Sequence, residues 1–526
     1  MKTLKKTSLF LLVSLLLCTC MPQEKEQTDP DTTGGLISIA GQTEAQGTKT
    51  TMSGVETIWA AGSDKIGIFS PEARTTDGGS TAVKNAEFTA QTSAKNSAFT
   101  GTMFFGGAGD HHFTAYYPRN PEYTGERTAV PVSLSSAQTQ SAAGNTAHIG
   151  ALDFMVATPI AVTPPGAVNF TFNHVFAMIE FQIVGRGQLT QINLIGADPL
   201  ACEGTINLTQ TPAAGTPYTI TASSTSDFVS VTLGSTGVTL DEDDAVSIYM
   251  MVLPGAQSDD MAVALKIDGN WKILDKTPPT GGFARGQKYV VSLDTESTTA
   301  GWYSTITDSR DSNFYNLVVI GGQIWMAKNL AYLPSEVGVV DPETGSITVP
   351  YCYVYGYYGT DEAAAKATSN YTTYGVLYNW TAAMNGAESR ATNPSGVQGV
   401  CPSGWHLPSD AEWKQLEMAL GMSSDQANNT GNRGTDEGGK IKEAGTAHWK
   451  DPNTGATNSS GFTALPGDYR RNEETFSSIG YNGYWWSSTE RDTYNAWYRE
   501  LNYYYSTVYR SGNCKEYGFS VRCLRD

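Results

Sequence analysis

The sequence predicts a mostly β protein, with two tandem β-sandwiches followed by an aromatic-rich α+β module. Three observations carry this. From residue 36 to about 293, short apolar runs alternate with turns rich in Gly, Pro, Asn and Ser, and helical periodicity is almost absent. Charged residues are only 16 % of the chain while Gly numbers 54 and aromatics reach 11 %, which suits exposed β domains better than a helical cytosolic enzyme. A capped helical pattern appears only in the last third, at residues 409–420, among aromatic strand-like runs. The 526 residues are too many for one core.

The chain opens with a basic Met1-Lys-Thr-Leu-Lys-Lys6, then an apolar stretch from Ser8 to Leu17 of signal-peptide length, too short to span a bilayer. The stretch ends Leu17-Cys18-Thr19-Cys20 and turns polar at once, so residues 1–20 resemble a bacterial lipoprotein signal, in which the cysteine left by cleavage is acylated. Cys20 follows the small Thr19 and has Leu17 three positions back; Cys18 follows the bulky Leu17 and is the alternative. The other reading is an ordinary secretory signal. Residues 21–35, rich in Asp, Thr, Gln and Pro, read as a tether that cannot bury enough apolar surface to fold.

The β region divides into residues 36–167 and 168–295, with the break placed near Pro164-Pro165 to His174. Strands are expected at 36–40, 65–69, 113–117, 168–172, 177–184, 229–233, 246–253, 261–267 and 288–293. His174 stands among Phe172, Val175 and Phe176 and reads as a structural histidine. His111-His112 follows Gly-Ala-Gly-Asp and reads as a turn, as does the acidic Asp241-Glu-Asp-Asp244, which lacks the ligand spacing of a calcium loop. Residues 296–301 form a linker, and 302–526 a further domain in which 309–313 is a polar turn between strands. A net charge of −18 without basic clusters leaves no footprint for nucleic acid.

In the last domain, Ser409 or Asp410 caps a helix whose Trp413, Leu416 and Leu420 form one apolar face, and Trp405 and Trp485-Trp486 are expected around it. Trp485 and Trp497 read as core. Trp486, Tyr504 and the Glu490-Arg491-Asp492 turn are the ligand-binding candidates, because flat rings beside carboxylate and guanidinium groups suit sugar or protein surfaces. A strand through Tyr503-Tyr504-Tyr505 would turn alternate rings to opposite faces. Cys352, Cys401, Cys514 and Cys523 allow three pairings; Cys401 with Cys523 and Cys352 with Cys514 is the preferred one, and Cys202 is expected as a buried thiol. His406 and His448 are the module's only histidines, and Asp410 and Glu412 are explained by capping, so no catalytic constellation, metal site or cofactor is expected.

The words Asp64-Lys-Ile-Gly-Ile-Phe69, Phe113-Thr-Ala-Tyr-Tyr-Pro118, Asp153-Phe-Met-Val-Ala157, Phe170-Thr-Phe-Asn-His-Val-Phe-Ala177, Met251-Val-Leu-Pro254 and Phe283-Ala-Arg-Gly-Gln-Lys-Tyr289 occur in that order. Together they resemble the fimbrillin-like family, surface lipoproteins of Bacteroidetes that build or decorate pili. The resemblance implies transthyretin-like sandwiches, cleavage after a basic residue beyond the first strand, and filling of the opened groove by a neighbouring subunit's strand. Lys49 is the candidate processing residue, where the family usually carries arginine. The words Val400-Cys-Pro-Ser-Gly-Trp-His-Leu-Pro408, Gly483-Tyr-Trp-Trp-Ser-Ser-Thr489 and Gly518-Phe-Ser-Val-Arg-Cys523 resemble the Fibrobacter succinogenes major paralogous domain, similar in turn to C-type-lectin-like and formylglycine-generating-enzyme folds. The combined expectation is a non-enzymatic outer-membrane lipoprotein at a fimbrium tip. Its partners would be other fimbrillin subunits by strand exchange, the membrane through its lipid, and a glycan or protein ligand. Shaft subunits are expected to donate a C-terminal strand, and here that place is taken by another domain. Two alternatives stand beside it, a stand-alone lipoprotein binding polysaccharide or host glycoprotein, and an exported enzyme of the formylglycine-generating type using Cys514 and Cys523.

Overall fold

The computed structural model describes residues 36–43, 58–341, 345–471, 475–477 and 479–526. The expected signal and tether, with Cys18 and Cys20, and the processing residue Lys49 lie outside the described residues. All nine expected strands are present within a few residues of their predicted bounds.

In the first domain the order of pairing runs Lys65–Arg74, Ala82–Ala90, Asn96–Thr100, Ile39–Thr43, Val168–His174, Met155–Ala157, His111–Tyr117, with Ile160–Val162 beside the last. His111–Tyr117 also pairs back with Lys65–Arg74, so the sheet closes on itself and leaves few free edges. Several strands alternate, as Asn96–Thr100 does with Ser97 and Phe99 buried between exposed neighbours, while Lys65–Arg74 and His111–Tyr117 carry continuous buried runs. The inward residues Ile39, Ile66, Ile68, Phe88, Phe99, Phe170 and Phe172 gather around Trp59, whose ring meets Phe99 and Phe172 edge-on at 5.1 and 5.2 Å. Ile39–Thr43 lies between a parallel partner, Val168–His174, and an antiparallel one, Asn96–Thr100. Its Gly41 faces Phe172 and Phe99 so closely that a Cβ there would stand 3.0 Å from both rings.

The second domain packs a three-stranded sheet, Val246–Val252, Ala177–Val184 and Lys288–Asp294, over a sheet ordered Asn270–Lys276, Met261–Ile267, Gln188–Ile195, Phe228–Leu233, Ala137–Gln140. Ile179, Phe181 and Ile248 from the first share one core with Ile192, Val229, Val263 and Leu265 from the second. The boundary expected at 167/168 is therefore displaced in two places. Val168–His174 completes the first sheet, whereas Val130–Leu134 and Ala137–Gln140 cross into the second domain to pair with Ala201–Ile206 and Phe228–Leu233. Alternation tells which face of a strand is buried, not which distant strand it pairs with. Buried His174 sits at the junction, with Nδ1 2.7 Å from Asp153 Oδ1, the structural role expected of it. His111-His112 is the start of a strand, not a turn. The buried His111 ring accepts the Gly106 N–H at 2.9 Å and meets the Gly109 carbonyl at 2.7 Å, so it satisfies the backbone of the Gly-rich turn before it. Asp241 caps its own turn, accepting the N–H groups of Asp243 and Asp244.

The C-terminal module joins a five-stranded sheet ordered Thr305–Thr307, Phe314–Ile320, Gln323–Met326, Leu524–Arg525, Trp405–His406 to a seven-stranded one. The second runs Cys352–Tyr353, Leu377–Tyr378, Phe519–Ser520, Asn482–Glu490, Asn495–Asn502, Val508–Cys514, Gly431–Arg433, and short helices fill the connections. Residues 309–311 turn between two strands, as expected. The expected linker 296–301 is a set of turns, and the module beyond it is seated on the second domain. Ala262, Ala264, Trp271 and Ile273 of the Met261–Lys276 hairpin share a core with Tyr315, Leu317 and Val318. Arg525 grips Asp275 through two bonds of 2.8 and 2.9 Å. The Gly321-Gly322 turn has φ of 57° and 77°, and a Cβ on Gly322 would run into Phe228 at 2.4 Å, so only glycine lets the two domains approach there.

Candidate functional site

The words that mark the module act as its framework. Asn329, buried in Met326-Ala-Lys-Asn-Leu330, accepts Trp485 Nε1–H at 2.9 Å and Arg522 at 3.0 Å and donates to the Tyr374 carbonyl and Ser520 Oγ. Arg522 is buried, with no carboxylate beside it among the described residues. Its guanidinium is spent on the carbonyls of Met326 and Phe462, and burial lowers its pKa to about 9. Cys401 and Cys523 are joined by the expected disulfide across a sequence separation of 122. The expected Cys352–Cys514 bridge is absent. Four strands stand between theirs in the sheet order; Cys352 is buried, Cys514 is half-buried, and both thiols are free. Burial pushes all three free thiols, Cys202 included, above the usual range, the opposite of a reactive thiolate.

The helix Asp410–Ala419 opens with a full capping box. Ser409 Oγ accepts Glu412 N–H at 3.2 Å and Glu412 Oε2 accepts Ser409 N–H at 2.7 Å. Glu412 Oε1 also lies 2.7 Å from His406 Nε2, and Asp526 Oδ1 lies 2.7 Å from Nδ1. Burial disfavours a charged ring, but bonds to Asp526 and Glu412 outweigh it and raise His406 to about 9. His406 is thus a fixed cation tying three parts of the chain, not a base. Trp413 and Leu416 are buried as predicted, and Trp325 lies 5.0 Å from Trp413.

The same helix turns Asp410 and Glu417 toward three arginines. Arg499 and Arg510 converge on Asp410 at 2.8 and 2.7 Å, and Arg499 and Arg433 on Glu417 at 2.5 and 2.6 Å, all five side chains buried. Burial alone would raise Asp410, yet Arg499 and Arg510 hold it well below the usual carboxylate range. This is an ordering network in which all five side chains are engaged, Arg433 Nε alone among their nitrogens and oxygens being buried without a hydrogen-bond partner among the described residues.

The ligand candidates are not brought together. Trp486 is fully buried; its ring lies 4.2 Å from Phe519 and its Nε1–H is bound to the Tyr378 carbonyl at 2.9 Å, so it cannot meet a ligand. Glu490, Arg491 and Asp492 form an exposed turn at one end of Asn495–Asn502, and Tyr504 lies at the other, about 25 Å away at ~3.3 Å per residue. Glu490 is paired with Lys515, and Asp492 caps the N–H groups of Tyr494 and Asn495. Tyr503 and Tyr504 lie in a turn, so alternation across a sheet does not place them; Tyr504 and Tyr505 are 60 % and 48 % exposed because the turn projects. Trp497, expected in the core, is half-buried between the guanidinium groups of Arg510 at 3.8 Å and Arg491 at 5.5 Å.

A different surface emerges one strand inward. Tyr484, Trp486, Tyr498 and Glu500 share one face of the seven-stranded sheet; Tyr484, Trp486, Tyr498 and Phe519 are buried there, and Tyr469, Tyr509 and Tyr517 pack over them. The rings interlock edge-on or tilted, Tyr469 to Tyr484 at 4.7 Å and Tyr498 to Tyr509 at 6.3 Å. Tyr469, Tyr509, Tyr517 and Glu500 remain partly open. Burial raises Glu500 to about 7 and the fully buried Asp468, behind Tyr469, to about 8. Even-numbered alternation through 484, 486, 498 and 500 was visible in the sequence; what it lacked was the pairing of Tyr484 with Glu500 and of Glu500 with Tyr509. Tyrosines around a carboxylate can stack on C–H faces and accept hydroxyl protons. Among the described residues no group of three or more His, Cys, Asp or Glu is placed to hold a metal, and no helix is long and apolar enough to cross a membrane.

Closed and layered β domains followed by a ring-rich α+β module define a mostly β, multidomain protein. Residues 48–308 match the fimbrillin-like family model and residues 318–525 the Fibrobacter succinogenes major domain model. Among solved structures, the chain is similar to one described as a cell adhesion protein from Bacteroides uniformis, at 20 % identity, over 52 % of this chain and 96 % of that one, TM-score 0.35. It is similar also to a fimbrial protein from Bacteroides ovatus, at 12 % identity over 94 % and 99 %, TM-score 0.27. A fimbrial assembly protein from Parabacteroides distasonis matches at 13 % over 54 % and 98 %, TM-score 0.28. No curated protein matches.

Proposed function

We propose that the protein is a surface-exposed lipoprotein adhesin of the fimbrillin type, acylated at Cys20 or alternatively Cys18, that accepts a neighbouring subunit's strand and caps a fimbrium with its C-terminal module. The observation that carries the reading is the fate of its strand ends. Lys288–Asp294 pairs with Ala177–Val184 and leads directly into the seated module, whose own Leu524–Arg525 is held between Gln323–Met326 and Trp405–His406 beside the disulfide. Neither is free to be donated. On the accepting side, cleavage at Lys49 would release Ile39–Thr43 and expose the edges of Val168–His174 and Asn96–Thr100 to a new strand. The tyrosine face around Glu500 is the surface offered to a glycan or protein.

The stand-alone lipoprotein is the second reading, favoured by one observation: Ile39–Thr43 is fully paired on both sides. Mass spectrometry of the surface protein separates the two, since a chain beginning at Thr50 supports fibre entry and a retained acylated cysteine supports standing alone. Recognition is tested by a glycan and matrix-protein screen of the full chain with Tyr509→Ala and Glu500→Gln. Binding that both variants leave unchanged removes the tyrosine face from the account.

A further inference from the structure

We propose that the cleft between the second β domain and the C-terminal module binds an acidic oligosaccharide, with Lys266 and Lys328 on opposite walls meeting its sulfate or carboxylate groups. The cavity holds about 820 Å³, inside the range of small-ligand sites. One wall is the Met261–Lys276 hairpin, with Lys266, Trp271 and Lys272; the other is module residues around Asn316 and Lys328, closed by His448 and the loop through Asn458 to Thr463.

Charge is the first argument. The chain carries 52 acidic against 34 basic residues, yet among the described residues the two walls together have three lysines and a histidine and not one carboxylate. Two of the four are partly satisfied from outside the lining, Lys272 by the Thr295 carbonyl and Glu296, and His448 by Glu443. The other two are not. Lys266 has only the Trp271 ring, 5.7 Å from its ammonium, and half-buried Lys328 has no hydrogen-bond or ion-pair partner among the described residues. Burial lowers the pKa of Lys328, the expected response of an ammonium removed from water without a counter-charge, and an anion in the cleft would supply one.

Neutral chemistry narrows the class. Ser304, Asn316 and Ser459 line the same space with hydroxyl or amide capacity to spare, while Asn458, Ser460 and Thr463 beside them are already bonded within the chain and shape the wall; together they suit a ligand covered in hydroxyls. A bare anion would need only the lysines, and an acidic peptide would need pockets for its side chains. The cleft lies at the seat of the module, apart from the tyrosine face, so this site and that one fail or survive independently.

The test is calorimetric titration of the full chain with a chondroitin sulfate tetrasaccharide, a hyaluronan tetrasaccharide, an uncharged N-acetylglucosamine tetramer, inorganic sulfate and an oligoglutamate peptide. The acidic tetrasaccharides are expected to bind at least about tenfold more tightly than the other three and to weaken as salt rises, because ammonium groups act as screened point charges. Lys328→Met and Lys266→Met keep the apolar stem and are each expected to weaken binding about tenfold with an unchanged melting curve. Equal binding of the uncharged tetramer, of sulfate alone or of the peptide overturns the assignment, as does unchanged affinity in both variants. If Lys328→Met fails to fold, Lys266→Met alone decides.

Discussion

Replacing Glu417 by Gln keeps its shape and removes half the negative charge that holds three buried guanidinium groups. Glu417 accepts from Arg499 at 2.5 Å and from Arg433 at 2.6 and 2.8 Å, all buried. Charge-assisted bonds contribute about 1.5–3 kcal/mol each against ~1 for neutral ones, so three weakened bonds amount to roughly 1.5–6 kcal/mol. That agrees with the ~3–5 kcal/mol found when one partner of a buried pair is removed. The larger part is the penalty on the stranded arginines, not the net worth of the pair. Adding Arg433→Met, which withdraws one stranded cation, is therefore expected to recover about 2 kcal/mol rather than to add a second loss. Urea denaturation of the full chain at neutral pH reads this through tryptophan emission, because nine of the 11 tryptophans lie from Trp302 onward. A Glu417→Gln loss under about 1 kcal/mol, or a double variant less stable than either single one, would refute the reasoning.

Removing the disulfide by Cys401→Ala with Cys523→Ala frees a loop of 122 residues and is expected to destabilise the module by about 3–5 kcal/mol, measured by the same urea midpoint. Asp468 and Glu500 have folded pKa values raised to about 8 and about 7, so their contribution is complete below the ordinary carboxylate range and is lost as pH rises through those values. Melting temperature should accordingly fall between about pH 5 and pH 8, and Asp468→Asn should flatten that slope; a slope unaltered by the substitution would remove Asp468 as its source. Gly41→Leu drives a side chain into Phe99 and Phe172 and is expected to lower first-domain stability by about 1–3 kcal/mol, read by hydrogen exchange in Ile39–Thr43. Trp486→Ala should behave as a core truncation of about 3–5 kcal/mol, visible in stability before any effect on ligand.

The sequence by itself determined what is local. Nine strands follow from short apolar runs set between turn residues, the Asp410–Ala419 helix from a capping Ser409 or Asp410 and a Trp413, Leu416 and Leu420 stripe, and the structural place of His174 from its apolar neighbours. The cysteines left three pairings open; of the preferred pair of bridges the structure forms Cys401–Cys523 and leaves Cys352 and Cys514 free. Tertiary structure alone decided what depends on partners far along the chain. Val168–His174 joined the first sheet through Ile39–Thr43, more than a hundred residues back, and residues 130–140 crossed the other way. Trp486 was removed from the surface because Phe519 and Tyr378 cover it, and Glu500 entered a ring of tyrosines by cross-strand register. Lys266 and Lys328 came to face one cavity only because two domains dock. Periodicity records which side of an element avoids water; it carries no address for the element that covers it, and recognition surfaces are made at those addresses.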